Sequence, residues 1–500
     1  MENYFDCFEE QKTLTEELVG IRSVVGSDGC EQAVAEHIRD LMGSWDYFKD
    51  NPGDLFLVPT ENDTLKRSSV VAVIEPEAAG VSPNGTMDAV MLMGHIDTVE
   101  TSDYGVLEPL ATKPGELQKA LREISDGSVV ADIDSGRYMF GRGALDMKAG
   151  VASCLYILKH FSENRSALSG ALIALFECDE EGDSHGAITS MKFIRQLSEE
   201  RCIRIKAAVC ADYSSNEPAA YLGTIGKYLP CAMAFGRSSH VGQVFSSMDP
   251  NLMISDIVSA IDYNTDLCEE NLGETTQPPV SLKQSDTKTT YSVQTADSAY
   301  AYFNWFSLRK TGDEILSLFK KEVEKTVRKT AERITRAKKD FYGRRNVIDA
   351  ETGELYPRVM TLDEYAENVG SNLGEADPYT DIRKFWISEA ERLHGMDRDM
   401  TPVVLVFMAG VSYPPVTVDP DSELGTASSR LGIPVRTYYP FISDASFISL
   451  LGDVPLVNLG TYGKDAHMFT ERVDMEYSFK KLPNLTWELL LSLLGQMKKT

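Results

Sequence analysis

Histidine and aspartate two positions apart, His95 and Asp97, close the apolar run of MLMGHIDTV (91–99). Side chains along a strand repeat their direction every second residue, so these two groups, just past an extended run at 89–93, would share a face. One can then ligate a metal while the other holds the imidazole in a fixed tautomer. Three further segments carry carboxylates or histidine: GRGALDMKAG (141–150), FECDEEGDSHGA (176–187) and GKDAHMFTERV (463–473). His95 and His467 could give one imidazole to each of two cations. Asp146, after the turn GRGAL, could bridge them with its two oxygens. Of the adjacent pair Glu180 and Glu181, one can bind metal and its neighbour can take a proton from water. Asp212, at the end of AAVCAD, is a further oxygen donor, with Glu217 five residues on as its competitor. Each segment alone has an ordinary reading: a polar pair, a helix start capped by Asp146, a solvated acidic turn in which His185 adds a second histidine, a strand-end histidine. Together, most of them at the ends of hydrophobic runs, they point to a two-metal hydrolase site with mixed nitrogen and oxygen donors.

The elements that must position these groups alternate. Helical periodicity covers residues 10–45, and short apolar runs follow at 69–74, 89–93, 171–176 and 205–211, with a helical segment at 148–161. Strands alternating with helices indicate an α/β sheet with substantial parallel character, and such a sheet places its site at the carboxyl ends of its strands. The pattern changes after YLGTIGKYLP (221–230). Amphipathic strand candidates such as 299–308, a helix near 249–263, a charged helix over 313–339, a polar stretch through 367–379 and a strand at 402–408 follow. The α/β pattern returns with a helix near 421–431 and a strand at 454–459. The expected fold class is therefore α/β: a mixed, largely parallel sheet sandwiched by helices, formed by 1–223 and 418–500, with an inserted α+β domain at 224–417.

The 500 residues exceed what one core usually supports. A net charge of −27 argues against nucleic acid as partner, because phosphate binding needs clustered Lys and Arg. No uncharged run approaches a membrane-spanning length, and the first twenty residues lack the basic start and apolar core of a signal peptide. Eight cysteines without CxxC pairs, several in apolar surroundings, read as reduced thiols. The expectation is a cytoplasmic protein without nucleic-acid or membrane partners.

The ordered set GHIDTV, GRGALDMKAG, DEEGDSHGA and AHMFTERV resembles the co-catalytic zinc hydrolases that include aminoacylase, glutamate carboxypeptidase and succinyl-diaminopimelate desuccinylase (metallopeptidase family 20). YLGTIGKYLP, SLKQSDTKTTYSVQTADSAYAYFNW and NLGTYGKDAHMFTERV are similar to a longer branch, the bacterial arginine-utilisation type. The resemblance implies two divalent ions, zinc first, held by His95, Asp146, Glu181, Asp212 and His467 with Asp146 bridging, Asp97 orienting His95 and Glu180 as general base. The sequence departs from the family at ADYSSNEP, where Glu-Pro or Asp-Gly is common, so Glu217 stays open as the fifth ligand. The inserted domain would be a lid or dimerisation domain. Its FGRSSHVG (235–242) would place His240 on the developing oxyanion, and Asn304 and Arg309 would contact a substrate carboxylate. The activity implied is hydrolysis of an amide or peptide bond in a small N-acyl amino acid or short peptide, in arginine or amino-acid breakdown, by a homodimer. The alternative is a metal-binding sensor without turnover; Glu180 speaks against it, because a binder needs no positioned base.

Overall fold

Strings of β-branched and apolar residues bounded by turn formers set the strands of this chain, and helical periodicity fills the gaps between them. The computed structural model describes residues 4–78, 85–214, 216–345, 356–376, 381–399 and 401–495. The chain divides into two compact units, Met1–Ile225 with Val416–Thr500, and Gly226–Pro415.

The first unit is built on a nine-stranded mixed sheet. At its centre Ala171–Glu177, Met87–His95, Ile203–Cys210 and Leu456–Asn458 run parallel, in that spatial order. Leu55–Pro59 and Ser68–Ile74 extend one side antiparallel, and Ala220–Thr224 extends the other. Every residue of Ser68–Ile74 and Ala171–Glu177 is buried, the mark of a sheet covered on both faces. The helices Ala149–Glu163, His185–Glu200 and Leu482–Leu494 pack against it. Because the central strands are parallel, their carboxyl ends lie at one edge, and His95, Glu180–Glu181, Asp212 and the approach to His467 all leave from that edge. A three-stranded sheet of Gly463–Lys464, Arg472–Asp474 and Tyr138–Phe140 pairs Phe140 with Arg472. It sets the turn carrying Asp146 beside the loop carrying His467.

The second unit holds a six-stranded sheet. Val280–Asp286, Ser298–Ser307, Pro230–Phe235, Val403–Met408 and Arg358–Thr361 follow in order, with Gly226–Tyr228 also pairing Ser298–Ser307. Side chains alternate between its faces as the pleat requires. Ala232, Ala234, Phe303 and Trp305 pack on the helices Pro250–Ile261 and Gly312–Arg344; Cys231, Met233, Phe235 and Leu405 pack on Leu362–Val369 and Ile382–His394. The long helix runs five residues past its expected end at 339, to Arg344. The polar stretch expected at 367–379 begins inside the helix Leu362–Val369, which a Thr361/Glu364 capping box starts; residues 377–380 of it lie outside the described residues.

Candidate metal centre

His95 is the last residue of its strand. The preceding Gly94 has no side chain because the Met147 methyl occupies that space. His95 Nε2 lies 2.9 Å from Asp146 Oδ1. The second oxygen of the same carboxylate, Oδ2, lies 3.0 Å from His467 Nε2, and that nitrogen is also 2.9 Å from Glu181 Oε1. Asp146 thus turns one oxygen to each imidazole. Ligand atoms of His95, Asp146 and Asp212 lie within 4.8 Å of one another, and so do those of Asp146, Glu181 and His467. A third overlapping group joins His95, Glu180 and Glu181. Two sets of three donors sharing Asp146, each with one imidazole, fit a pair of borderline cations such as zinc.

The electrostatics agree with that fit. Burial raises the Asp212 carboxyl to about 7, and the neighbouring Asp146 charge adds to it. Burial also pushes Glu180 well up; His95 opposes the shift, while Asp444, Glu181 and Asp212 reinforce it. His95 is driven well above its ordinary value although burial disfavours its charge, because Asp146 and Glu180 face it. His467 rises to about 10 on its contacts with Asp146 and Glu181. Crowded carboxyls that resist ionisation beside imidazoles that hold protons are short of positive charge, which dications supply.

The role expected for Asp97 is divided differently. His95 Nδ1 faces the Asp97 carbonyl oxygen at 3.1 Å, with the carboxylate at 3.7 Å. The carboxylate instead accepts the Glu181 backbone N–H at 3.0 Å. Asp97 therefore fixes the imidazole through its backbone and the acidic loop through its side chain.

Asp212 enters the cluster, whereas Glu217 pairs with Arg436 on the surface. Its carbonyl accepts from Asn458 Nδ2 at 2.9 Å, and a side chain on Gly460 would collide with that carbonyl. His185 faces Asp179 at 3.1 Å and joins none of the donor sets. His240, Asn304 and Arg309 belong to the second unit. His240 is exposed, and its Nδ1 accepts the Gly242 N–H at 3.1 Å. Asn304 is half-buried on Ser298–Ser307, opposite Val280, and Arg309 is exposed beyond that strand.

Two residues that the sequence reading passed over hold the Asp146 turn in place. Glu471 Oε1 accepts the backbone N–H groups of Leu145 at 3.0 Å and Asp146 at 3.3 Å. Its Oε2 takes a hydrogen bond from buried Arg142 at 2.7 Å, and Arg142 also reaches the His467 carbonyl at 3.4 Å. Both stand inside the segments quoted for their ligands, GRGALDMK and HMFTERV, where a buried Arg and Glu of opposite charge were the available signal.

The sequence profile described as Peptidase family M20/M25/M40 matches residues 91–490. The chain belongs to this family. It is 29% identical to protein RocB of Bacillus subtilis (strain 168) over 98% of this chain and 96% of that one. It is 26% identical to succinyl-diaminopimelate desuccinylase of Xanthomonas euvesicatoria pv. vesicatoria (strain 85-10) over 43% of this chain and 46% of that one. Among solved structures, the Bacillus subtilis YXEP protein, a dinuclear metal binding peptidase, superposes with a TM-score of 0.54 at 12% identity over 98% of each chain, a likeness of fold. The protein is a metal-dependent hydrolase acting on peptide or amide C–N bonds. Among the described residues no helix is long and apolar enough to cross a membrane.

Proposed function

We propose that the chain is a two-zinc amidohydrolase or peptidase whose substrate is a small N-acyl amino acid or short peptide. The observation that carries the reading is the division of Asp146, one oxygen toward His95 and the other toward His467. His95, Asp146 and Asp212 would hold one cation; Asp146, Glu181 and His467 would hold the other. Bound there, the cations supply Lewis acidity and bring the pKa of an attacking water toward neutrality. Glu180, half-buried beside His95 and Glu181 but in neither of those two sets, accepts the proton of the water and passes it to the leaving amine. Asp97 holds the Glu181 backbone and so the spacing between base and ligand. The FGRSSHVG motif supports His240 as donor to the developing oxyanion, with Asn304 and Arg309 as contacts for a substrate carboxylate. Likeness to the succinyl-diaminopimelate desuccinylase supports an acylated amino-acid substrate, and the resemblance of the motifs to the arginine-utilisation type supports amino-acid breakdown as the setting. The second unit would act as lid and dimerisation domain of a homodimer.

The experiment is a screen of zinc-reconstituted protein against pooled N-acyl amino acids and dipeptides, read by release of free amine. Turnover that Glu180→Gln removes while two metals stay bound supports the proposal. Zinc-loaded protein that binds members of the pool without turnover would make it a sensor.

A further inference from the structure

Glu180 is flanked by two backbone N–H groups, and a buried carboxylate holds each one. The Glu181 N–H goes to Asp97; the Asp179 N–H goes to Glu31 Oε1 at 2.9 Å. Glu31 stands in the first turn of the helix Cys30–Gly43, far from the site in sequence and fully buried. Its other oxygen accepts the Gly26 N–H at 2.9 Å. Arg67 is the guanidinium of this corner, and His185 Nδ1 also lies 3.1 Å from Asp179 Oδ2. Arg67 Nη1 bonds Asp179 Oδ1 and lies 3.3 Å from Glu31 Oε2, while its Nε bonds Asp63 Oδ2 at 2.9 Å. The Arg67 side chain is 8% exposed, those of Glu31 and Asp63 at most 1%. Asp179 itself has a left-handed backbone, φ +71°, which non-glycine residues adopt at a cost. Its Oδ2 accepts from the His185 backbone N–H at 3.0 Å. The acidic loop is thus tied at its first residue to a segment that precedes the family match, which starts at residue 91.

We infer that Arg67 is a positioning residue for the acidic loop: with Glu31 it locks the Asp179 backbone and so fixes where Glu180 and Glu181 point. Three buried carboxylates around a single guanidinium are held in place only by a group that donates in several directions at once. Arginine does this from separate nitrogens of a planar fork, Nε toward Asp63 and Nη1 toward Asp179 and Glu31, whereas the three donors of a lysine ammonium all leave one nitrogen. The inference rests on the roles proposed for Glu180 and Glu181, but the loop geometry can be measured without them.

The test uses Arg67→Lys and Glu31→Gln in the full chain, with Arg204→Lys as control. Arg204 makes an equally bidentate pair with Asp88, on the surface and at the opposite end of the central strands. Hydrogen exchange on chelator-treated protein reads the amides of 177–185 against those of 171–176, and titration with cobalt(II) reads the donor sets. In Arg67→Lys, exchange at Asp179 and Glu181 should rise while the strand keeps its protection. Affinity for the weaker ion should fall about 10- to 100-fold, as for other outer partners of metal ligands. With metal saturating, kcat should fall by a similar factor and KM stay within about twofold. Glu31→Gln should give the same local exchange, and it decides alone if Arg67→Lys does not fold. Wild-type exchange and affinity in the variants overturn the inference, and so does a rise in exchange spread equally over strand and loop. Failure of the unaltered protein to bind two ions overturns the proposed function instead, with the exchange result still judging the clamp.

Discussion

Loading the site with metal should release protons. Ligation needs both imidazoles neutral. In the chain without cations His467 is pushed up to about 10 by Asp146 and Glu181, and His95 stands well above its ordinary value through Asp146 and Glu180. Both shifts favour the charged imidazoles, which must each lose a proton on ligation. Glu180, pushed well up by burial, and Asp212, raised to about 7, add to the count where a dication draws them back to the carboxylate. Each proton released makes binding stronger by about 1.4 kcal/mol per pH unit. The two imidazole protons give about 2.7 kcal/mol, or about a 100-fold rise in the product of the two association constants between about pH 6.5 and 7.5. Calorimetric titration with zinc in buffers of different ionisation enthalpy counts the protons directly. The expected count at pH 7.5 is between about two and three for two ions. A count below one, or affinity flat across that interval, would refute the reading of His95 and His467 as ligands facing one shared carboxylate.

Asp146→Ala should lower bound metal from about two ions to less than one, because each donor set loses its shared member; elemental analysis showing two ions retained contradicts the bridge. Glu180→Gln should keep both metals and lose about 100- to 10,000-fold in kcat, whereas Glu181→Gln should release one metal; the reverse pattern exchanges their roles. The Asp212 carboxyl, raised from its ordinary 3.8 to about 7, favours folding while protonated and loses that contribution as pH climbs from about 4 through 7. At about 1.4 kcal/mol per unit this is a few kcal/mol, so zinc should raise the melting temperature more at pH 7.5 than at pH 5, and an equal rise at both would show that Asp212 does not face the ion. His240→Ala should lower kcat more than it raises KM. Mixed with Glu180→Gln protein under verified subunit exchange it should recover activity if a homodimer shares the site; no recovery assigns His240 to its own chain.

The candidate donors were legible because they sit where apolar runs stop, and a parallel sheet turns such stops into one edge. What brings Asp146 to His467 was not legible. The small sheet that aligns their loops has strands of two and three residues, too short to leave a period. The choice between Asp212 and Glu217 depended on where the backbone goes after Cys210, and the Gly460 contact with the Asp212 carbonyl, contributed from far along the chain, is part of what sets it. The divided role of Asp97 is likewise a matter of which atom faces the imidazole, and residue spacing does not encode that. In the second unit the helices Leu362–Val369 and Ile382–His394 cover a whole face of the sheet. Thr361 and Glu364 did carry a capping signal for the first, hidden by the polar residues around it.

Charge explains why such a cluster can exist in a folded chain at all. Asp97, Asp146, Glu180, Glu181, Asp212, Glu471, Glu177 and Asp444 are eight acids in and around the donor sets, each half-buried or buried. Once the imidazoles are neutral, buried Arg142 still pairs with Glu471 and Arg67 with Asp179, while burial pushes the Lys148 ammonium down to about 7. Burying unbalanced charge is costly enough that groups neutralise instead. Two dications would offset four of the negative charges these acids can carry. Two carboxyls outside every donor set, Glu177 and Asp444, are pushed well up, burial being the first cause in each and their mutual or neighbouring acids the next. In both, burial favours the protonated form and so lowers the negative charge the site has to carry. On this view the cations do more than activate water. They would let the carboxyl edge of the sheet carry a base, a bridge and four further ligands close together, and a variant that cannot bind them, Asp146→Ala, should be driven to protonate its remaining acids.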